Sequence, residues 1–444
     1  MSGVDVVNFG CRLNIAEGEA IRAAATAAGA ERIIIFNSCA VTDEAARQVR
    51  QAVRRAARAR PDAAIIVTGC AAELEPERFD AMGVRVVAND AKGLVESYLR
   101  YGHKDGASTS SARTENRDGA FPEPFALSLS KPVLSACKAV EGGRPASLPY
   151  TPALSGADHA RAFLGVQTGC SHSCTFCATV LARGKARSAD IAAVLDSART
   201  AIARGQQEII LTGVDLGSYG DDGDGGLTLA ALVEALLALP GLKRLRLSSL
   251  DPDRIDDALF ALLTQEARVM PHVHLSLQAG DDMILKRMKR RHSRAMSVRM
   301  VERLKAARSA IAIGADLIAG FPTEDAAMFA NSRTLIDDCD ILFGHIFPYS
   351  PRAGTPAARM PQIERSVARA RAAELRSASM TRRQRWLDTL IGTRQAMLVE
   401  RDGVSGHGEN FAAMVLAQPA VPGAILPVRV TARADDRLLV EPVA

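Results

Sequence analysis

Three times within its first 70 residues the chain closes an apolar run with a cysteine: VDVVNFG leads to Cys11, ERIIIFNS to Cys39 and AAIIVTG to Cys70. The residues between follow a helical period, from Ala16 to Ala28 and from Asp43 to Arg60. VRVVAND adds a further run, with a helix expected to about Tyr101. Strands and helices alternating at this spacing build a parallel sheet covered by helices. Ligands of such sheets collect beyond the carboxyl ends of the strands, so the three thiols are expected on one edge. One cysteine after a strand is ordinarily a small buried apolar residue. Three at the same topological point indicate a shared metal site, and residues 1–103 read as one α/β domain.

A second cysteine group is local. Cys170, Cys174 and Cys177 stand at C-x3-C-x2-C in QTGCSHSCTFC, just after the apolar run Phe163 to Val166. A structural zinc closes with four ligands and a cubane iron-sulfur cluster takes four cysteines, so three thiolates leave a coordination position open for chemistry. A zinc knuckle whose fourth ligand is His172, or lies elsewhere, is the alternative. The spacing resembles the cluster loop of the radical S-adenosylmethionine (SAM) enzymes. That resemblance implies three cysteines holding three irons of a [4Fe-4S] cluster, with the amino and carboxylate groups of SAM on the fourth. One electron passed to the sulfonium then releases a 5'-deoxyadenosyl radical.

Hydrophobic content of 48% with 24% charged residues is that of a globular chain, which excludes a disordered one. The opening MSGVDVVNFGC lacks a basic head before an apolar core, and no apolar run is long enough to span a bilayer. A cytoplasmic protein without a membrane anchor is expected. Eight cysteines in a reducing compartment are not a disulfide framework. Cys137 reads as a bystander thiol and Cys339 as a core residue.

Residues 104–150, rich in Ser, Thr, Gly and Pro, read as a linker or insertion. From 151 to 384, EIILTG, KRLRLSS, HVHLSLQ, IAIGADLIAGFP and ILFGHIFPYS are each followed by a helical pattern; with the strand before the cysteine loop they make six βα units, a partial or full barrel. Active sites of parallel barrels lie at the strand carboxyl ends. Those ends carry Thr212, Gly213, Asp215, Ser249, Gln278 and Asp316, the candidate cofactor contacts, beside Ser248, Ser276 and Gly320. Gly213 suits a close backbone approach, and Thr212 and Asp215 suit the SAM amino group. The competing reading is plain turn chemistry for Thr-Gly and a helix cap for Asp215. His272, His274 and His345 read as structural histidines. Residues 385–444 shorten into alternating runs, a small β-barrel.

The net charge of +5 is unevenly spread. Arg47, Arg50, Arg54 and Arg58 recur at helical spacing, Lys286 to Arg294 holds six basic residues and no acid, and Arg352 to Arg385 holds nine arginines against two acids. One such patch is a solvated face; three favour a polyanionic substrate. The last 60 residues, with six arginines against seven acids, add nothing to it.

The motifs GCRLN, NSCAVT, TGCAAE, RAFLGVQTGCSHSCTFC, LTGVDLGSYG, HLSLQAGDD, LKRMKRRHS, ADLIAGFPTE and FPYSPRAGTPAA together resemble the methylthiotransferases, which join a three-cysteine α/β domain, a radical SAM (βα)6 partial barrel and a C-terminal TRAM β module. GCRLN and SPRAGTPAA look most like the branch acting on N6-threonylcarbamoyladenosine at position 37 of tRNA. The resemblance implies two [4Fe-4S] clusters: one on Cys11, Cys39 and Cys70 that carries sulfur, and one on Cys170, Cys174 and Cys177 that cleaves SAM. It also implies a tRNA anticodon loop as partner, a monomeric enzyme, and an electron donor and sulfur source that the sequence does not identify. Sister branches act on isopentenyladenosine-37 of tRNA or on a ribosomal-protein aspartate. An iron-sulfur scaffold or electron carrier without catalysis is the alternative from another class. After Cys177 the family reads Ile-Ile-Pro-Tyr, and this chain departs from it with Ala178, Thr179, Val180 and Leu181.

Overall fold

A computed structural model describes residues 3–40, 43–101, 150–223 and 227–443. Nearly all of the expected linker, with Cys137, lies outside the described residues. The first sheet is wholly parallel in the order β1 (Val4–Asn8), β2 (Ile33–Ser38), β3 (Ala64–Gly69), β4 (Arg85–Val86). Every residue of β2 is buried, because helices cover both faces. Ile33 and Ile35 pack against Ile21, Ala24 and Ala25 of the helix Arg12–Ala27, while Ile34 and Phe36 pack against Ala46, Val49 and Val53 of the helix Asp43–Ala59.

Two boundaries differ from expectation. The first helix starts at Arg12, four residues before its apolar period becomes visible, with Cys11 as its N-cap. Its opening turns carry Asn14 and Glu17, buried polar residues used in a hydrogen-bond network rather than in the core. Beyond β4 there are two 3-10 turns, Val95–Ser97 and Leu99–Tyr101, where a helix was expected. Buried Tyr98 donates to the Lys92 carbonyl at 2.7 Å and so fixes a tight turn there.

The central region is a six-strand parallel array. β5 (Ala153–Leu154) lies antiparallel on the outer edge of β6 (Ala162–Gly165), followed in space by β9 (Glu208–Thr212) and β10 (Arg244–Leu247). β11 (His272–Gln278), β12 (Ala312–Ala319) and β13 (Ile341–Pro348) continue it. Two isolated parallel bridges, Leu245 to Val269 and Leu250 to Leu275, join the halves. A short antiparallel pair, β7 (Gln167–Thr168) and β8 (Arg187–Ser188), brackets the cysteine loop.

Because side chains alternate along a strand, each barrel strand has a core face and a lumen face. Ile209, Leu211, Leu245, Leu247, Val273, Leu275, Ile313, Ala315 and Leu317 join the helices in one apolar core. Their neighbours Glu208, Thr212, Arg246, His272, His274, Gln278 and Asp316 are thereby turned inward. Cys339 is fully buried in the core, as expected.

The C-terminal module is a closed barrel ordered β14 (Arg394–Val399), β15 (Ser405–His407), β16 (Ala413–Leu416), β18 (Arg437–Pro442), β17 (Ile425–Ala434). The helix Arg365–Thr389 runs past the expected start of this module and buries Leu387 in its core. Among the described residues no helix is long and apolar enough to cross a membrane.

Candidate active site between two cysteine groups

The loop cysteines sit directly beyond β7. Gly169 precedes Cys170 at φ +71°, where a Cβ would lie 1.9 Å from the Lys185 carbonyl oxygen, so only glycine lets the loop turn against that strand. The Cys170 thiol lies 3.6 Å from Asp215 Oδ2, and the His172 amide donates to its sulfur at 3.4 Å. Burial first, then Asp215, pushes the Cys170 thiol up to about 12, with Cys177 and Cys174 adding to the rise. Cys174 is raised mainly by burial, and Arg290 works against this by donating to its sulfur at 3.6 Å. Arg290 also pairs with Asp251 and donates to the Ser276 carbonyl at 2.9 Å. The unusual residues after Cys177 form a short helix, Thr179–Arg183; the Thr179 hydroxyl lies 3.0 Å from the Cys177 sulfur and its amide donates to that sulfur at 3.4 Å.

The strand-end cysteines meet through backbone geometry. Gly10 precedes Cys11 at φ +86°, and a Cβ there would fall 2.3 Å from the Cys39 sulfur. Gly69 precedes Cys70 at φ +88°, with a Cβ position 2.4 Å from the Ser38 carbonyl oxygen, beside Cys39. Burial pushes the Cys11 thiol up, Arg183 lowers it, and Cys70 is near enough to add to the rise. Buried thiols with raised pKa values lose their protons only when a cation takes their place. Two sets of three cysteine sulfurs, with no further cysteine of the described residues beside either, suit a metal group that keeps an open position.

One arginine ties the two groups together. Arg183, at the end of the helix that follows Cys177, donates from Nε to the Cys70 sulfur at 3.2 Å. Its two terminal nitrogens reach Glu17 Oε1 at 2.8 Å, Glu17 Oε2 at 3.0 Å, Asn14 Oδ1 at 2.8 Å and Thr168 Oγ1 at 3.1 Å. Lys92 donates to Glu17 at 2.6 Å and to Asn89 at 2.7 Å, and Asn89 donates to the Ala182 carbonyl at 2.9 Å. Burial works to raise Glu17, but Arg183 and Lys92 overcome it and hold its carboxyl at about 2.

Of the candidate cofactor contacts, Gly213 and Asp215 lie beside Gln167 and the cysteine loop, while Ser249 and Asp316 meet each other farther along the barrel. Thr212 is buried, and its carbonyl accepts from the Val166 amide at 3.0 Å. The close neighbour of Gly213 is Gln167, whose Oε1 would be 2.9 Å from a Cβ there and accepts the amides of Val214 and Asp215. Asp215 makes no side-chain cap for the turn Leu216–Ser218; its carboxylate faces Cys170 and lies 3.4 Å from His172 Nε2. Ser249 Oγ lies 3.4 Å from Asp316 Oδ2, and Gln278 adopts φ +66° at the end of β11. Asp316 is flanked by His274 Nε2 at 3.1 Å and His345 Nδ1 at 3.5 Å. Burial raises its carboxyl, and the two histidines more than reverse that, so it stays ionised.

Sequence reasoning missed the deeper end of the lumen. There the ring of Phe411, from the C-terminal module, stands 5.2 Å from the Arg246 guanidinium, 5.6 Å from that of Arg161 and 5.5 Å from that of Arg12. Arg246 donates to the Gly408 and Glu409 carbonyls at 2.8 Å each and pairs with Glu208 at 2.8 Å; Arg161 pairs with Glu400 at 2.6 Å. Burial, then Arg161 and Arg246, lower Arg12 to about 10. The signal available was an arginine directly after a ligand-type cysteine.

Two of the three basic runs differ in where their charges go. In the run Lys286 to Arg294, Arg290 turns inward to Cys174, Arg287 donates to the Thr323 carbonyl at 3.3 Å and Arg294 pairs with Asp338. On the helix Asp43–Ala59, exposed Arg54, Arg55 and Arg58 line one shallow groove and make no ion pair among the described residues.

A model of the Radical SAM superfamily matches residues 164–336, and one described as uncharacterized protein family UPF0004 matches residues 4–88. A protein of Rickettsia prowazekii, named threonylcarbamoyladenosine tRNA methylthiotransferase, is 39% identical over 410 residues, 92% of this chain and 90% of the relative. A protein of Cereibacter sphaeroides, named tRNA-2-methylthio-N(6)-dimethylallyladenosine synthase, is 31% identical over 450 residues, 98% of this chain and 97% of the relative. The solved radical SAM methyltransferase TsrM of Kitasatospora setae, with tryptophan and a SAM analog bound, shares the fold at a TM-score of 0.51 and 15% identity, over 80% of this chain and 74% of that one.

Proposed function

The chain belongs to the radical SAM methylthiotransferase family, and from that premise we propose that it methylthiolates C2 of N6-threonylcarbamoyladenosine at position 37 of tRNA. One observation carries the reading: buried Arg183, on the short helix that follows Cys177, donates to the Cys70 sulfur, so the element carrying one three-cysteine group is linked to a sulfur of the other. Transfer between two such groups requires them to be adjacent. We assign one [4Fe-4S] cluster with SAM to Cys170, Cys174 and Cys177, and a second to Cys11, Cys39 and Cys70; together these supply a radical at an unactivated aromatic carbon and the sulfur to place there.

The protein's own residues hold, orient and exclude. Arg183 and Arg290 each donate to a cysteine sulfur, which offsets thiolate charge in a buried site. Gly10, Gly69 and Gly169 give the backbone turns that aim three of the six sulfurs. Asp215, with Thr212 and Gly213 beside it, stands next to Cys170 where a cationic amino group would be received. Ser249 and Gln278 stand at neighbouring strand ends, and Asp316 faces the lumen from the middle of β12 rather than from its expected place at the strand end. Arg54, Arg55 and Arg58 offer a phosphate-facing surface, and the C-terminal module closes the deep end of the lumen with Phe411. In this division residues 1–103 carry the sulfur site, 151–384 the radical site and 385–444 the TRAM-like module, in a cytoplasmic monomer.

Anaerobic reconstitution tests the reading. The expected result is about eight irons per chain, as two four-iron cubanes require, with dithionite-driven SAM cleavage and formation of a methylthio nucleoside on tRNA bearing threonylcarbamoyladenosine. A chain that binds only zinc, or that leaves this tRNA unmodified with its iron in place, overturns it.

A further inference from the structure

The deep lumen holds more positive charge than it neutralises. Arg12, Arg161, Arg244 and Arg246 face Glu208 and Glu400 there. Glu208 is taken by Arg246 at 2.8 Å and Arg244 at 3.6 Å, and Glu400 by Arg161 at 2.6 Å. Asp316, the next carboxylate along the lumen, is held between His274 and His345. Arg12 is left: among the described residues no carboxylate forms an ion pair with it, Glu208 and Asp316 act on it only at longer range, and its guanidinium lies 5.5 Å from the centre of the Phe411 ring. A partly buried guanidinium without an anion is costly unless a ligand brings one. Phe411 and the ion-paired Arg161 and Arg246 fix its surroundings, and the residue before it is Cys11.

We infer that Arg12 is a specificity-determining residue that receives the carboxylate of the substituent on N6 of the target adenosine. The inference rests on the function proposed above. If C2 of the base faces the sulfur group on Cys11, Cys39 and Cys70, the N6 substituent extends away from it into the lumen. The threonylcarbamoyl group ends in a carboxylate, which a guanidinium can take in a bidentate pair. A dimethylallyl group has no charge to offer. A site that pairs a buried charge with a substrate group rejects the analogue that lacks it, because its own charge is then stranded.

The test uses anticodon stem-loop RNAs carrying threonylcarbamoyladenosine, its carboxylate methyl ester, or N6-dimethylallyladenosine, with the reconstituted wild type, Arg12→Gln and Arg12→Lys. Binding affinity and kcat/KM for RNA are both read, with KM for SAM measured alongside. Wild type is expected to favour the free acid over the ester by about tenfold to a hundredfold, the usual range for a charge-assisted hydrogen bond. Arg12→Gln should lose that factor on the acid alone and bind acid and ester alike, and Arg12→Lys should recover part of it. The ester arm needs no variant, so it decides the matter even if Arg12→Gln fails to fold. Equal wild-type affinity for acid and ester overturns the inference while methylthiolation of the acid keeps the function standing. A variant whose KM for SAM rises, or which loses affinity equally for all three RNAs, overturns it in favour of a SAM carboxylate or an RNA phosphate. If wild type modifies only the dimethylallyl RNA, the function reading falls, and the inference with it.

Discussion

The two cysteine groups reach similar donor sets by opposite routes. The loop group lies within eight residues, and its geometry needs only one tight turn at Gly169 and the short helix that follows Cys177. The strand-end group draws on residues 11, 39 and 70 and exists only once β1, β2 and β3 have paired in register. The first survives as long as its loop does. The second depends on a sheet, two faces of packed helices and the docking of Arg183 from the neighbouring domain. Difference in locality should therefore appear as difference in fragility.

The largest expected effect removes the loop group. A Cys170→Ala, Cys174→Ala, Cys177→Ala variant should abolish SAM cleavage and keep about half of the wild-type iron, as one of two cubanes, measured by iron and sulfide analysis. Loss of all iron would mean that the two groups are not independent. Next come the glycine swaps. Gly10→Ala places a Cβ on the Cys39 sulfur at a left-handed backbone position, and should lose the strand-end iron while SAM cleavage persists. Gly169→Ala should do the reverse. The same phenotype from both would break the comparison.

Removing the tie should cost stability as well as activity. Arg183→Ala leaves Glu17 buried with Lys92 alone, and is expected to destabilise the chain by about 3 to 5 kcal/mol, read by urea unfolding of the metal-free protein. The pH dependence follows with a definite sign. Glu17 is held at about 2 in the folded chain against an ordinary value of 4.5. Its contribution is thus full above pH 4.5 and lost as pH falls from there towards 2. Glu17→Gln should flatten that limb of the stability profile, and an unchanged acid limb would remove Glu17 as its cause. The smallest effect belongs to the surface: Arg54→Gln with Arg58→Gln should reduce the slope of log affinity for tRNA against log salt by about two, with both iron contents unaltered.

How much could be read beforehand follows the same division. The six cysteines stood out because each occupies a position with a topological or spacing meaning. The six-strand parallel array was visible in the strand pattern. The helix starting at Arg12 was placed late because Asn14 and Glu17 break the apolar period in order to serve Arg183. Arg290 was hidden in a run that reads as a phosphate-binding patch, and only the fold turns it onto Cys174 and Asp251. Phe411 gave no signal at all, since it reaches the barrel lumen from a module more than 160 residues beyond Arg246 in the chain.

The sequence by itself determined the alternation of strands and helices, the positions of the sulfur donors and the composition of the two barrels, because period, turn residues and cysteine spacing are local properties. Only the tertiary structure decided which charges are paired. Arg183, Arg290 and Arg12 are chemically alike along the chain. One bridges two domains, one supports a cysteine and one is left facing the lumen, because ion pairing depends on what burial brings within a few ångströms, and that depends on every element at once.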